Sequence, residues 1–300
     1  MTDIGSFLER FSKQHSVVLD SLPEAERLGI YYTLRCQDAI DAGLAALTAD
    51  VLSSDAVVGV ARQLLARCAE HVEGALAAFA TSSGASAELI ARVAIESSVT
   101  IRFILRDPQP RLAAYFRHHV EDVDKQVRHW RNVAASLSGD AKLIHGAACD
   151  QRDAANRAMR SFVDRLEQEL IGSRAPEKWP AQVSERFRQL DDELTYRTVY
   201  ARLCSETHFD AEETLRYGLG QLGGDDLLER MALETIGLTR LMISIAVTYF
   251  LHAALDYASR YNMEETVREC RAGLDVMGRI SEVLSEHVDL GQGGPDTRIR

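Results

Sequence analysis

The chain has 300 residues, 46% of them hydrophobic and 26% charged, with a formal net charge of −11. That is ample apolar material for a core, so a disordered chain is excluded, and the acidic balance argues against broad nucleic-acid or anionic-membrane binding while leaving room for a small basic site. The five scattered cysteines, Cys36, Cys68, Cys149, Cys204 and Cys270, include no C-x-x-C pair, which speaks against a disulfide framework or zinc knuckle and fits a reducing cytoplasm.

The residue choice leans to Ala, Leu, Glu, Arg and Gln, and the alternation that marks strands is nearly absent. These features predict an all-α fold, an irregular bundle of about eight to ten helices. We expect one helical domain over residues 1–288 and a disordered C-terminal tail over 289–300. The first residues, M-T-D-I-G-S-F-L-E-R, have an early acid and no apolar run, so no signal peptide is expected.

In chain order, Ile4 to Leu19 reads as an amphipathic helix with Phe7, Leu8, Phe11, Val18 and Leu19 as its apolar members. Ser21-Leu22-Pro23-Glu24 has capping-box form and starts a helix reaching about Leu52. Ser53-Ser54-Asp55 breaks it, and a further helix runs from Ala56 to about Ala80. After the small-residue turn Thr81–Ser86, Ser86 caps a helix from Ala87 to Leu105, stopped by Asp107-Pro108-Gln109-Pro110. Long helices are expected from Arg111 to Ala135 and from Asp140 to Leu170, the second closed by Gly172, with Ser173 to Pro180 as the best linker candidate. The remaining expectations are helices over Glu185–Glu206 and Ala211–Gly218, a loop over Gly220–Gly224, a central apolar helix from Asp225 to Tyr257, and a last helix from Asn262 to His287. The most apolar run, Leu241–Leu251, is about half the length that crosses a bilayer, so it is read as core and no membrane partner is expected.

Three constellations bear chemistry. In the helix after Ser86, four- and seven-residue steps place Leu89, Val93, Glu96, Thr100 and Phe103 on nearly one face. Glu96 in that stripe needs a partner; either Arg92 one turn earlier pairs with it at a half-exposed edge, or it faces a cavity as a functional acid. His118, Asp122, Lys125 and His129 share a face of the next helix, but no second helix offers a matching ligand pair and Lys125 would repel a cation. The dense charge there, with Arg117, Glu121, Asp124 and Arg128, reads as a solvated face with i,i+4 pairs. No metal and no cofactor are expected.

The third is Y-R-T-V-Y-A-R-L-C-S-E-T-H-F-D-A-E-E, from Tyr196 to Glu213. It sets Tyr200, Cys204 and His208 at four-residue steps, with Arg202 and Ser205 between them, and Asp210 opens a new capping box. Cys204 and His208 have the types of a nucleophile and its base, against which stands the usual inertness of a buried free thiol. His208 can equally be a structural histidine bonded to Glu96 or a backbone carbonyl.

Arg92-Val-Ala-Ile-Glu96 and Tyr200-x-x-Leu203-Cys204-x-x-x-His208 resemble the Arg-x-x-x-Glu and Tyr-x-x-Leu-Ser-x-x-x-His segments of a bacterial all-helical family of uncharacterised function, with cysteine in the serine position. The resemblance spans roughly Tyr31 to Tyr257 in helix order. Such domains are distantly similar to the nucleotide-binding helical domains shared by higher eukaryotes and prokaryotes, whose toxin and defence ribonucleases carry an Arg-x(4–6)-His motif. Arg202 and His208 satisfy that spacing, whereas Leu203 stands where active ribonucleases favour a polar residue. The resemblance implies Arg202, His208 and Glu96 as catalytic residues, Arg92 and Tyr200 as ligand-binding ones, and a nucleotide or RNA as partner in a defence or toxin-like setting. The second reading is a non-enzymatic interaction module acting as a homodimer; the third is a metal-dependent hydrolase.

Overall fold

A computed structural model describes residues 4–172, 174, 177–201, 215, 218 and 220–286, and every regular element among them is helical, as the composition predicts. The helices are α1 (Ile4–His15), α2 (Glu24–Ala45), α3 (Ala49–Ser54), α4 (Ala56–Ala80), α5 (Gly84–Arg106), α6 (Pro108–Ala135), α7 (Gly139–Ile171), α8 (Val183–Gln189), α9 (Glu193–Thr195), α10 (Asp225–Arg260) and α11 (Glu264–Glu286). A single π-helical turn, Tyr196–Tyr200, continues α9. The expected helix over 211–218 and the expected tail over 289–300 lie outside the described residues, apart from positions 215 and 218.

Several boundaries differ from expectation, each for a local reason. Helix α1 stops at His15 because Ser16 takes a left-handed φ of 55°, which turns the chain so that Val17 is buried and Val18 is exposed. Pro23, not Ser21, occupies the N-cap of α2, with no side-chain cap bond. That helix ends at Ala45 because the Thr48 hydroxyl accepts from the Val51 N–H and starts α3. Asp55 caps α4 in the same way, accepting from the Val57 N–H at 2.9 Å. Helix α6 begins at Pro108, since prolines in a first turn forfeit no helical hydrogen bond. The stretch read as one helix over Glu185–Glu206 breaks at Asp191, where φ is 60°. Residues 220–223 are helical rather than a loop, and Gly224, at φ 81°, separates them from α10.

The chain divides into two compact units. One joins Met1–Arg102 to Val183–Arg300; the other is Phe103–Gln182.

In the first unit α10 takes the central position and packs against α2, α4 and α11. Phe250, Leu251, Tyr257, Leu65, Leu76 and Ile30 are essentially inaccessible, and each such side chain contributes about 1.5–3 kcal/mol of transfer free energy. By length and composition α10 passes for a membrane span, but 72% of its most apolar stretch is buried inside the protein. Polar pins join the layers. The buried carboxylate of Glu73 on α4 accepts from Gln14 at 3.0 Å and Gln37 at 2.7 Å and meets His15 at 3.1 Å, which ties α1 and α2 to it. Glu26 on α2 receives Arg240 of α10 at 2.6 and 3.3 Å. Asp55 also accepts from the Tyr261 hydroxyl at 3.1 Å, so one carboxylate caps α4 and holds the end of α10.

In the second unit α6 and α7 form an antiparallel hairpin. Arg117 pairs with Asp164 at 3.0 Å, Arg131 with Asp150 at 3.0 Å, and the Asn156 amide donates to the Val120 carbonyl at 3.0 Å. The charged face of α6 is thus partly cross-helix pairing rather than i,i+4 pairing alone. The stretch read as a linker is packed: Trp179 is 6% exposed, with its ring 5.3 Å from Phe103 and 5.0 Å from Tyr115.

Candidate functional site

Helix α5 does not bury the stripe expected of it within the first unit. Ala87, Ala91, Ala94, Ile95, Ser98 and Val99 form the inward face, while Leu89 and Val93 are 48% and 38% exposed. Small side chains let α5 approach its neighbours closely, and that packing outweighs the larger apolar area on the other side. Glu96 is therefore at a half-exposed edge, its side chain 40% accessible.

Three of the five proposed site residues converge there. The Tyr200 hydroxyl donates to Glu96 Oε2 at 2.8 Å, and the Arg92 guanidinium lies over the Tyr200 ring, 5.5 Å from its centroid. The other two, Arg202 and His208, lie outside the described residues, as does Cys204. The sequence reading missed Arg186, whose Nη2 approaches Glu96 Oε1 at 3.4 Å from a side chain only 6% exposed. Glu96 is therefore bonded from both α8 and the π-helical turn.

An aromatic platform positions these groups. Phe187, next to Arg186, is fully buried, with its ring 5.6 Å from Tyr196, 5.5 Å from Tyr200 and 6.0 Å from Tyr249. Tyr196 and Tyr200 stack at 5.5 Å with 24° between ring planes. The turn that carries them is anchored by Asp192, which accepts from Thr195 at 2.6 Å and from the Tyr249 hydroxyl. Burial, then that bond to Asp192, pushes the Tyr249 phenol well above its usual range, so it stays a donor. The local signal for Arg186 was Asp191-Asp192 ahead of Glu193: aspartates tolerate left-handed backbone and favour helix starts. The chain turns back there and sets α8 against α5.

Beside the platform, Arg102 pairs with Asp256 at 3.0 Å. His252, one turn before Asp256, has its pKa lowered, first by burial and then by Arg102, against the opposing pull of Asp256 and Asp192. An imidazole depressed on folding stays neutral where the unfolded chain is already protonated. Its stability contribution is complete above about pH 6.5 and is lost as pH falls through and below that value. We expect the melting temperature to drop between about pH 7.5 and 5.5, and His252→Gln to remove part of that drop. An equally steep fall in the variant would discard this account of His252.

In the second unit His118 meets Asp122 at 3.1 Å and Lys125 meets it at 2.9 Å, so the candidate metal pair is engaged in a charge network. Lys125 first, and then His118, holds the Asp122 carboxyl below its usual range. Among the described residues no group of three or more His, Cys, Asp or Glu side chains is arranged to hold a metal ion.

The fold is an all-helical bundle, and its site is a carboxylate clasped between a tyrosine and an arginine. The model of a family of unknown function (DUF5677) matches residues 58–224, more than half of the chain, and the chain belongs to that family. The match takes in every proposed site residue. No curated protein matches the chain, and no solved structure matches it.

Proposed function

We propose that the Glu96 cluster binds a nucleotide or a short stretch of RNA, and that the chain cleaves RNA without a metal in a defence or toxin-like setting. The observation that carries this reading is the half-exposed Glu96 carboxylate, held by Tyr200 and Arg186 beside a stacked tyrosine pair and Arg92. A carboxylate offers about four acceptor positions. Tyr200 and Arg186 take one each, leaving capacity for the amino or hydroxyl groups of a nucleoside. The half-buried Tyr196 ring offers a stacking surface, and base–aromatic stacking contributes about 1–3 kcal/mol per base.

Arg202 and His208 enter on their sequence spacing. His208, neutral, would take the proton of a ribose 2′-hydroxyl; that oxygen would attack the adjacent phosphorus and expel the 5′-oxygen of the next nucleotide, which leaves as a hydroxyl by taking a proton from water. Arg202 would stabilise the charge that builds on the phosphorane. A cytoplasmic location fits the scattered cysteines.

Purified protein incubated with single-stranded RNA in the presence of EDTA should yield fragments ending in a 2′,3′-cyclic phosphate, and His208→Ala should not. RNA left intact, together with unchanged RNA binding by His208→Ala and Glu96→Gln, would rule the reading out.

A second reading is favoured by one feature: both Glu96 oxygens are already bonded and Arg186 is buried. In that case the cluster is a structural network of a non-enzymatic module, acting as a homodimer. Glu96→Ala would then lower stability by about 1–3 kcal/mol, as loss of a buried polar partner does. Removing a ligand-binding group instead leaves stability nearly unchanged or raises it. Melting temperatures of Glu96→Ala against wild type separate the two.

A further inference from the structure

Helix α11 runs antiparallel along α2, and their seam can be followed layer by layer. The Thr266 hydroxyl donates to the Ala39 carbonyl at 2.8 Å; one layer on, Cys270 meets Cys36; beyond that, Gly273 faces Tyr32. A Cβ on Gly273 would fall 2.9 Å from the Leu251 side chain and 3.0 Å from the Tyr32 ring, so this close approach requires glycine. Arg35 closes the outer edge of the seam, reaching Glu265 at 3.3 Å and Glu269 at 3.2 Å. Held this way, the Cys36 and Cys270 sulfurs lie 3.0 Å apart, at 1% and 0% exposure. Cys68 differs: its sulfur meets the Ser98 hydroxyl at 3.0 Å, and burial pushes its pKa up to about 12.

We propose that Cys36 and Cys270 are a two-electron oxidation site, converted by a hydroperoxide into a disulfide that joins the first long helix to the last. Neither sulfur needs more than a modest rotation about its Cα–Cβ bond, because a disulfide bond is about 1 Å shorter than their present separation. One thiolate attacks the peroxide, the O–O bond breaks, and a sulfenic acid forms. The second thiol displaces its hydroxyl, so two thiols and one hydrogen peroxide give one disulfide and two waters. A small uncharged oxidant suits so enclosed a pair.

The hydrogen bond shared with Cys270, followed by burial, holds the Cys36 thiol well above its usual range, so thiolate is scarce and oxidation proceeds more slowly than at an exposed cysteine. The product ties positions 234 residues apart in sequence, a long loop whose closure restricts the unfolded chain strongly. This inference is independent of the RNA reading.

The test is to treat the native full-length protein with hydrogen peroxide, block free thiols, and map the peptides by mass spectrometry. We expect the Cys36 peptide joined to the Cys270 peptide, a mass loss of about 2 Da, and a melting temperature raised by about 5 °C or more. Cys36→Ala should abolish both changes, and Cys149→Ala should leave them intact. The wild-type map reads the outcome even where a variant folds poorly. Recovery of Cys36 and Cys270 as free or overoxidised thiols, linkage to other cysteines, or linkage only in denaturant would overturn the proposal.

Discussion

Replacing Phe187 with alanine should destabilise the protein by about 3–5 kcal/mol, the cost of deleting a fully buried aromatic ring and leaving a cavity. For a chain of this size that corresponds to a fall in melting temperature on the order of 10 °C. The ring contacts Tyr196, Tyr200 and Tyr249, so the loss also loosens the support under the Tyr200–Glu96 hydrogen bond. Ligand binding should weaken along with stability. Phe187→Leu retains most of the volume and should cost about 1.5 kcal/mol or less. Urea unfolding of the two variants gives the comparison. A shift below about 1 kcal/mol for Phe187→Ala would show that the ring does not hold the platform.

Arg240→Ala should be comparably harmful for an electrostatic reason. Its guanidinium makes two hydrogen bonds to Glu26, whose side chain is 2% exposed. Removing the cation leaves that carboxylate buried and uncompensated, which typically costs about 3–5 kcal/mol. Because Arg240 itself retains 26% exposure, water can partly reach the site, and the lower end of that range applies. The pair itself stabilises far less than its disruption costs. The double substitution Glu26→Leu with Arg240→Leu should therefore recover most of the lost stability. A double variant as unstable as Arg240→Ala would refute this account.

How much of this was legible in the sequence depended on the kind of signal. Helix α4 has its expected bounds, Ala56–Ala80, because Asp55 is a true N-cap and Thr81-Ser82-Ser83 a true stop. Gly172 ends α7 for an equally local reason. The inward face of α5 was not legible: hydrophobic periodicity weights Leu89 and Val93 above Ala91, Ala94 and Ser98, yet close packing selected the small residues. In the site, the sequence reading offered Glu96 a partner in Arg92 or His208, and His208 lies outside the described residues; the bond from Tyr200 is a finding of the structure. Arg186 was not among the partners offered. It reaches Glu96 only because Asp191 turns the chain, and a left-handed residue inside a helical pattern leaves only a faint trace in composition.

The first unit is assembled from two stretches of chain, with the second unit encoded between them. Glu26 must wait for Arg240, 214 residues later, and Cys36 for Cys270, 234 later. At a ribosome adding about 5–20 residues per second, that delay is roughly 10–40 s. The α6–α7 hairpin joins Arg131 to Asp150 across only 19 residues, so it can close within a few seconds. The nascent chain therefore carries a finished hairpin while Ile30, Leu34 and Leu76, destined for burial, sit on helices that still lack α10, their packing partner. Order of synthesis thus exposes the two stretches of the first unit to different risks: α2 and α4 spend their first seconds as an unfinished half, and α11 arrives to a surface already waiting for it.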